Sequence, residues 1–164
     1  KKIWYAKIIT CIIYIVLANT ILMVCNVAGG FIIQQIFDIS MTISLTQALL
    51  GTLCIILTSI WNIPLCLWLV KKVGVFATLI LNVGMSFILG TLGASTRLWF
   101  VCPYSWVTRL MVPTLGILPN GEPVTRNALS TPLPLIIMTV CLSLVLFYVI
   151  SKLTVKSFIK QEVL

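Results

Sequence analysis

Residues 8–37, IITCIIYIVLANTILMVCNVAGGFIIQQIF, form a run of 30 residues without a charged side chain. As an α-helix rising about 1.5 Å per residue, this run exceeds the roughly 20 residues that cross a hydrocarbon core about 30 Å thick. The run lacks the period-2 alternation of a membrane β-strand, and backbone in lipid must satisfy its hydrogen bonds within a helix or a closed barrel. We therefore predict a transmembrane helix.

Three further uncharged runs cover residues 39–70, 73–96 and 127–151, with 32, 24 and 25 residues. Each is long enough for a membrane crossing. The sequence therefore predicts an all-α, polytopic membrane protein with four transmembrane helices, forming a single membrane domain over residues 1–164. A secretory signal peptide is the alternative interpretation of the first run, but that run exceeds the usual apolar region of about 7–15 residues.

The composition excludes several classes of protein. Hydrophobic residues make up 60% of the chain and charged residues only 9%, too few for the surface of a soluble domain. The net charge of +8 is spread in small groups, so the chain lacks the clustered basic face of a nucleic-acid-binding protein. Six cysteines without a CxxC pair, and no histidine, indicate neither a zinc site nor a disulfide framework.

The basic residues predict the orientation of the helices. Eight lysines fall on one side of the predicted bundle: Lys1, Lys2, Lys7, Lys71, Lys72, Lys152, Lys156 and Lys160. The connections on the other side carry Asp38, Arg97, Arg109, Glu122 and Arg126. By the positive-inside rule the lysine side is cytoplasmic, so both termini are expected inside the cell membrane.

The connection between the third and fourth predicted helices is irregular but apolar. The residues that we single out in this connection are Pro103, Trp106, Arg109, Pro113, Gly116, Pro119 and Gly121. Proline removes a backbone donor and glycine frees the backbone, so one continuous helix is excluded. Because the segment is too apolar for a simple wet loop, we expect short helices that re-enter the outer leaflet or pack on the bundle.

The chain lacks the residues of most enzymes. Without histidine there is no Ser-His or Cys-His pair, and the three carboxylates are scattered: Glu162 lies on the opposite side from Asp38 and Glu122. No GxxxxGK[ST] phosphate loop occurs, so the chain is not expected to hydrolyse ATP. We predict no catalytic residue, no metal site and no cofactor in this chain.

Polar and small residues inside the predicted helices are the remaining candidates. They are Asn19, Asn26, Gln47, Thr58, Asn62, Asn82, Ser86 and Gly90, several of them spaced by four residues along one helix face. Two interpretations stay open. Small residues and amides allow close helix packing, and uncharged intramembrane amides are also typical of a path for an amphipathic substrate.

Two stretches resemble a known family. In the outer connection, Pro103-Tyr104-Ser105-Trp106, Arg109-Leu110-Met111-Val112-Pro113 and Leu115-Gly116-Ile117-Leu118-Pro119-Asn120-Gly121 are similar to the segment before the last helix of ABC-2 type permeases of the lantibiotic (bacteriocin) immunity group. Trp61-Asn62-Ile63-Pro64-Leu65, followed by Lys71-Lys72-Val73-Gly74, resembles the fourth helix and the next inner loop of that group.

The resemblance implies a six-helix permease of which this chain supplies helices three to six. It implies a subunit that exports or expels a lantibiotic-type peptide from the membrane of a Gram-positive producer, as self-immunity. The expected partners are a second permease subunit, identical or different, and a cytoplasmic ABC ATPase that holds the ATP. The alternative is a non-transporting multi-pass membrane scaffold or assembly protein, and co-purification with an ATPase would discriminate between the two.

In the resembling family, the inner loop before the third helix contacts the ATPase. The corresponding coupling residues here are Lys1, Lys2, Trp4, Tyr5 and Lys7, with Trp4 as the expected buried anchor of that contact. The alternative is that Trp4 and Tyr5 form only an aromatic belt at the membrane interface.

The lysine distribution generates a direct test of orientation. We expect an engineered cysteine at position 122 to react with a membrane-impermeant reagent in intact cells, and one at position 72 to react only after permeabilisation. Labelling of position 122 only after permeabilisation would show that the predicted orientation is wrong.

Overall fold

The computed structural model describes residues 2–37, 43–96, 99–116 and 132–162. The six α-helices of these ranges are α1 (Lys2–Phe37), α2 (Leu45–Ser59), α3 (Asn62–Val73), α4 (Val75–Ser95), α5 (Pro103–Leu115) and α6 (Leu133–Glu162). A short 3-10 turn, Trp99–Val101, precedes α5. The described part of the chain contains no strand, which confirms the predicted all-α class.

Three helices, α1, α4 and α6, are each long and apolar enough to cross a membrane, and α2 with α3 makes a fourth span if the bent pair is counted as one. Their side chains lie mostly at the surface: of the 36 residues of α1, only Trp4 and Ile8 are buried. An apolar surface of this extent is unfavourable in water and suits contact with lipid. The multi-pass helical character predicted from the sequence is therefore supported.

The second predicted span, residues 39–70, contains a sharp bend. Helix α2 ends at Ser59, α3 begins at Asn62, and the two are bent by 45°. Pro64 explains the break, because its ring clashes with the carbonyl four residues earlier in a continuous helix. In the first turn of α3 its missing N–H costs no helical hydrogen bond. The break lies near the middle of the span, before the 12 residues of α3.

The ends of α1, α3 and α6 meet at one end of the bundle. The Trp4 and Phe158 rings lie 4.9 Å apart between centroids, and the Lys71 ammonium is 4.0 Å from the centre of the Phe158 ring. We call this the lysine end, because it carries the exposed side chains of Lys2, Lys7, Lys71, Lys72, Lys152 and Lys156. The three groups of lysines that are distant in sequence are therefore close together in the fold.

Helix α5 packs against α2 and α4. It buries Ser105, Trp106, Leu110 and Val112. Gly51 of α2 and Gly93 of α4 make room for it: a Cβ built on Gly51 would lie 2.9 Å from Leu115, and one on Gly93 would lie 3.1 Å from Ser105. The described part of the connection before the last helix thus contains one short α-helix, α5, which packs on the bundle.

Gly90 and Gly84 form a matched pair on α4 for testing this packing. A Cβ on Gly90 would lie 3.4 Å from the Tyr104 carbonyl oxygen, whereas a Cβ on Gly84 would meet nothing within 4 Å. We expect Gly90→Leu to destabilise the protein by about 1–3 kcal/mol through overpacking, and Gly84→Leu to have little effect. Thermal melting in detergent measures both, and equal losses would contradict the packing of α5 on this face.

Candidate functional site

A hydrogen-bonded group of three side chains, the Asn62–Asn82–Tyr104 triad, lies beside the break in the second span. The Asn62 amide donates to Asn82 Oδ1 at 2.8 Å, and the Tyr104 hydroxyl donates to the same oxygen at 3.1 Å. The triad therefore joins α3, α4 and α5 through one shared acceptor. The Cys66 thiol, one turn along α3, lies 3.4 Å from Asn62 Oδ1 and extends the group.

An aromatic cluster packs against one member of the triad, Tyr104. Trp61, Trp99 and Trp106 are buried together, and the Trp61 ring meets the Tyr104 ring edge-on with centroids 5.1 Å apart. Away from bulk water, hydrogen bonds are electrostatically stronger, and an unmade one is more costly. The three polar side chains are half-buried, and the cluster covers the triad at Tyr104.

The chemistry available to the triad is hydrogen bonding. The Tyr104 phenol is protonated at neutral pH and its hydroxyl can donate. Amides neither ionise nor attack a substrate, and the described residues contain no group of three or more potential metal ligands. The arrangement is suited to linking helices or to binding polar groups of a passing molecule.

Other predicted polar residues have local roles instead. Gln47 forms a capping box at the start of α2: its Oε1 accepts from the Ser44 N–H at 2.9 Å, and Ser44 Oγ accepts from the Gln47 N–H. Asn19 and Asn26 donate to carbonyls one turn earlier in α1, at 2.8 and 2.9 Å. These side chains do not converge with the triad.

The predicted small-residue face of α4 is divided between packing and exposure. Thr78 and Gly90 are buried, whereas Ser86 lies at the surface. On α2, Thr58 is fully buried and donates to the Cys54 carbonyl at 2.6 Å. Of the residues predicted on the helix faces, the structure therefore brings Asn62 and Asn82 together and places Gly90 against α5.

The outer-connection residues that the structure describes stabilise the entry into α5. Pro103 occupies the first position of the helix, where its missing N–H costs nothing, and Gly116 ends the helix with φ +69°. The Trp106 indole donates to the Phe100 carbonyl at 2.9 Å. Pro113 lies inside α5 near its end, at the surface. Pro119 and Gly121 lie outside the described residues.

Arg109 connects α5 to the end of α4. Its guanidinium donates to the Ala94 carbonyl at 3.4 Å and lies 5.6 Å from the centre of the Trp99 ring. A cation is favourable beside the carbonyls that end a helix. Arginine keeps its charge in proteins, so a positive charge lies at the end of α4.

The residues of the predicted coupling segment differ in burial: Trp4 is buried, whereas others are exposed. Trp4 is only 2% exposed; its indole donates to Thr154 Oγ1 at 3.2 Å and its ring packs on Phe158. It is an anchor within this chain, so its side chain does not present a surface for docking. Lys2, Tyr5 and Lys7 remain exposed, and Lys1 lies outside the described residues.

Two features were not found from the sequence. Tyr104 was quoted only as part of a motif, although it completes the triad. A row of buried hydroxyls on α6 was also missed: Thr139, Ser143, Ser151 and Thr154. Thr139, Ser143 and Ser151 are separated by multiples of four residues, the same spacing that revealed the face of α4, and this signal would have located the row.

No protein-family model matches this chain, and no curated protein and no solved structure shows significant similarity to it.

Proposed function

We propose that the chain is the membrane-embedded permease subunit of an ABC transporter that expels a lantibiotic-type peptide. The single observation that carries the proposal is the break in the second span, with three polar side chains hydrogen-bonded beside it. Broken helices and polar side chains at membrane depth are features of transporters, where they surround a substrate path or a moving element. The sequence resemblance described above supplies the substrate class.

The proposed topology has four spans, with α2 and α3 crossing together and α5 re-entering from the end opposite the lysines. Tyr104, near the start of α5, bonds to Asn82. Asn82 lies about 20 Å along α4 from Ser95, at about 1.5 Å per residue. This depth supports a re-entrant α5. The lysine end is then cytoplasmic by the positive-inside rule, in the cell membrane of a Gram-positive bacterium.

In the proposed mechanism, the hydrogen bonds of the triad stabilise one of two arrangements of the bundle. ATP binding in a separate ATPase would bias the equilibrium between them, which requires an element with two discrete states. The bent pair α2 and α3 is suited to this role, because the regular helical hydrogen bonding is interrupted between Ser59 and Asn62. Breaking the two bonds to Asn82 would free α3 to move relative to α4 and α5.

The proposed assembly contains a second permease subunit and a cytoplasmic ABC ATPase. The exposed side chains of Lys2, Tyr5 and Lys7 supply the contact with the ATPase, while buried Trp4 fixes the start of α1 to α6. A rigidly held segment transmits motion better than a frayed one. A non-transporting scaffold is the alternative, and in that case the triad would only hold the helices together.

Asn82→Leu tests whether the triad does more than packing. Losing interhelical hydrogen bonds in a membrane protein costs about 0.6 kcal/mol on average, so the variant should still insert and fold. Transmission between sites typically involves about 1–3 kcal/mol, or roughly 5–150-fold. We therefore expect peptide-stimulated ATP hydrolysis in the assembled transporter to fall at least about fivefold.

Ser86→Leu is the matched control, because Ser86 lies one turn along the same helix but at the surface. It should leave stimulated hydrolysis close to the wild-type rate. If Asn82→Leu lowered the melting temperature only slightly and left ATP hydrolysis unchanged, the triad would be only a packing contact. This result would favour the scaffold.

The difference in burial between Trp4 and the exposed residues of the coupling segment provides a second functional test. Lys7→Glu and Tyr5→Ala should lower peptide-stimulated ATP hydrolysis and producer immunity without changing the amount of inserted protein, since both side chains are exposed. Trp4→Ala should instead reduce the amount of folded protein, because removing a buried Trp costs about 3–5 kcal/mol. Wild-type hydrolysis in both exposed variants would contradict docking at this segment.

A further inference from the structure

One face of α1 is covered by the chain at the lysine end and left open at the other end. Positions spaced by three or four residues share a face of a helix. Near the lysine end this face packs into the core through Trp4, Ile8, Ile12 and Ile15. The same spacing continues into the far half of α1, where it forms the open face: Leu22, Asn26, Gly29 and Ile33. Leu22 is 60% exposed and Ile33 is 52% exposed, so no described part of the chain covers them.

Asn26 is the polar side chain of the open face. It is exposed, and its Nδ2 donates to the Leu22 carbonyl at 2.9 Å. An amide offers two donor hydrogens and an acceptor oxygen, and within the described residues Asn26 Oδ1 accepts no hydrogen bond. Asn26 lies inside the uncharged run, about 16 Å along the helix from its end at Phe37. Because lipid cannot complete these hydrogen bonds, the exposed amide indicates a second helix that does so.

Gly29 leaves room on the open face for the backbone of a second helix. A Cβ built on Gly29 would meet nothing within 4 Å, so the glycine serves no contact within the described part of the chain. Small residues of this kind let helices approach closely in lipid. The open face also follows the seven-residue repeat along which two parallel helices pack: Asn19, Asn26 and Ile33, alternating with Leu22, Gly29 and Ile36.

The chemistry of Asn26 selects a second copy of this chain as the partner. Copies of a membrane protein insert with the same orientation, so two of them pair around a twofold axis along the membrane normal, with parallel α1 helices. Each residue near that axis then meets its own equivalent. An amide is complementary to itself, because it carries both a donor and an acceptor. A single asparagine in the seam of two parallel helices fixes their register in the same way.

We propose that the open face of α1 forms a parallel homodimer of this chain. The free Nδ2 hydrogen of each Asn26 donates to Asn26 Oδ1 of the second copy, and the two Gly29 positions allow the helices to approach. The inference requires only that the bundle lies in a membrane. It makes the second permease subunit of the proposed assembly identical, but a transporter completed by a different subunit would still have the proposed function if this dimer failed to form.

Energy transfer between labelled copies in lipid vesicles tests the proposal. The full chain, carrying a donor or an acceptor fluorophore at its C-terminus, is reconstituted in phosphatidylcholine at decreasing protein-to-lipid ratios. The wild type should dimerise reversibly. Asn26→Leu should raise the dissociation constant about 5–30-fold, the range for one interhelical hydrogen bond in model membrane peptides. Asn26→Gln keeps an amide and should dimerise more tightly than Asn26→Leu, whereas Gly29→Leu should weaken the dimer by separating the helices.

Thr20→Leu is the matched control. Thr20 is also exposed on α1 and also donates to a carbonyl one turn earlier, at 2.8 Å, but it lies about 120° around the helix from Asn26. This variant should leave the dissociation constant unchanged. A wild type that stays monomeric at every ratio, or equal effects of Thr20→Leu and Asn26→Leu, would overturn the proposal. Dimers that persist unchanged in both Asn26→Leu and Gly29→Leu would also overturn it, because the contact would then lie on another face.

Discussion

The ring of Pro64 cannot occupy the same space as the carbonyl of Ile60 in a continuous helix, and the centre of the bundle is organised around the break that this clash forces. The Ile60 carbonyl instead accepts from the Ile63 N–H at 3.2 Å. Near the end of α2, the Leu57 carbonyl accepts from Ser143 Oγ of α6 at 2.7 Å. The break is thus stabilised both within the chain segment and by a neighbouring helix.

The break also determines where α5 packs. Because the chain turns between α2 and α3, Trp61 packs in a cluster with Trp99 and Trp106, and Asn62 reaches Asn82 across the gap to α4. Tyr104 joins both features, meeting the Trp61 ring with its edge and the Asn82 oxygen with its hydroxyl. A straight second span would lack the local turn that presents Trp61 and Asn62 in this way.

The helical class and the grouping of lysines were predictable from the sequence, because both depend on long-range averages of hydrophobicity and charge. The partners of individual polar residues were not. From the sequence, Gln47 could be either an amide inside the membrane or a helix-capping residue. Its role as a cap follows only from the start of α2 beside Ser44. Tryptophan is common both in aromatic belts at the membrane interface and in protein–protein interfaces. The burial of Trp4 depends instead on its contact with α6, 150 residues away in the sequence.

The candidate site was predictable only in part, for the same reason. Asn62 and Asn82 were identified from their spacing along separate helices, but their shared hydrogen bond depends on the angle between α3 and α4. Tyr104 lies in a segment rich in proline and glycine, and this composition does not indicate that the segment packs on the bundle. Four-residue spacing therefore grouped residues along helix faces, and tertiary packing decided which of them are buried and which of them meet.

Purification of the tagged chain from its native membrane, followed by identification of the bound proteins, tests the central claim most directly. A transport subunit should retain a second protein that carries a GxxxxGK[ST] phosphate loop, and the complex should hydrolyse ATP faster when a lantibiotic-type peptide is added. A chain that purifies from intact membranes without any ATP-hydrolysing partner would contradict the transporter and favour a structural role.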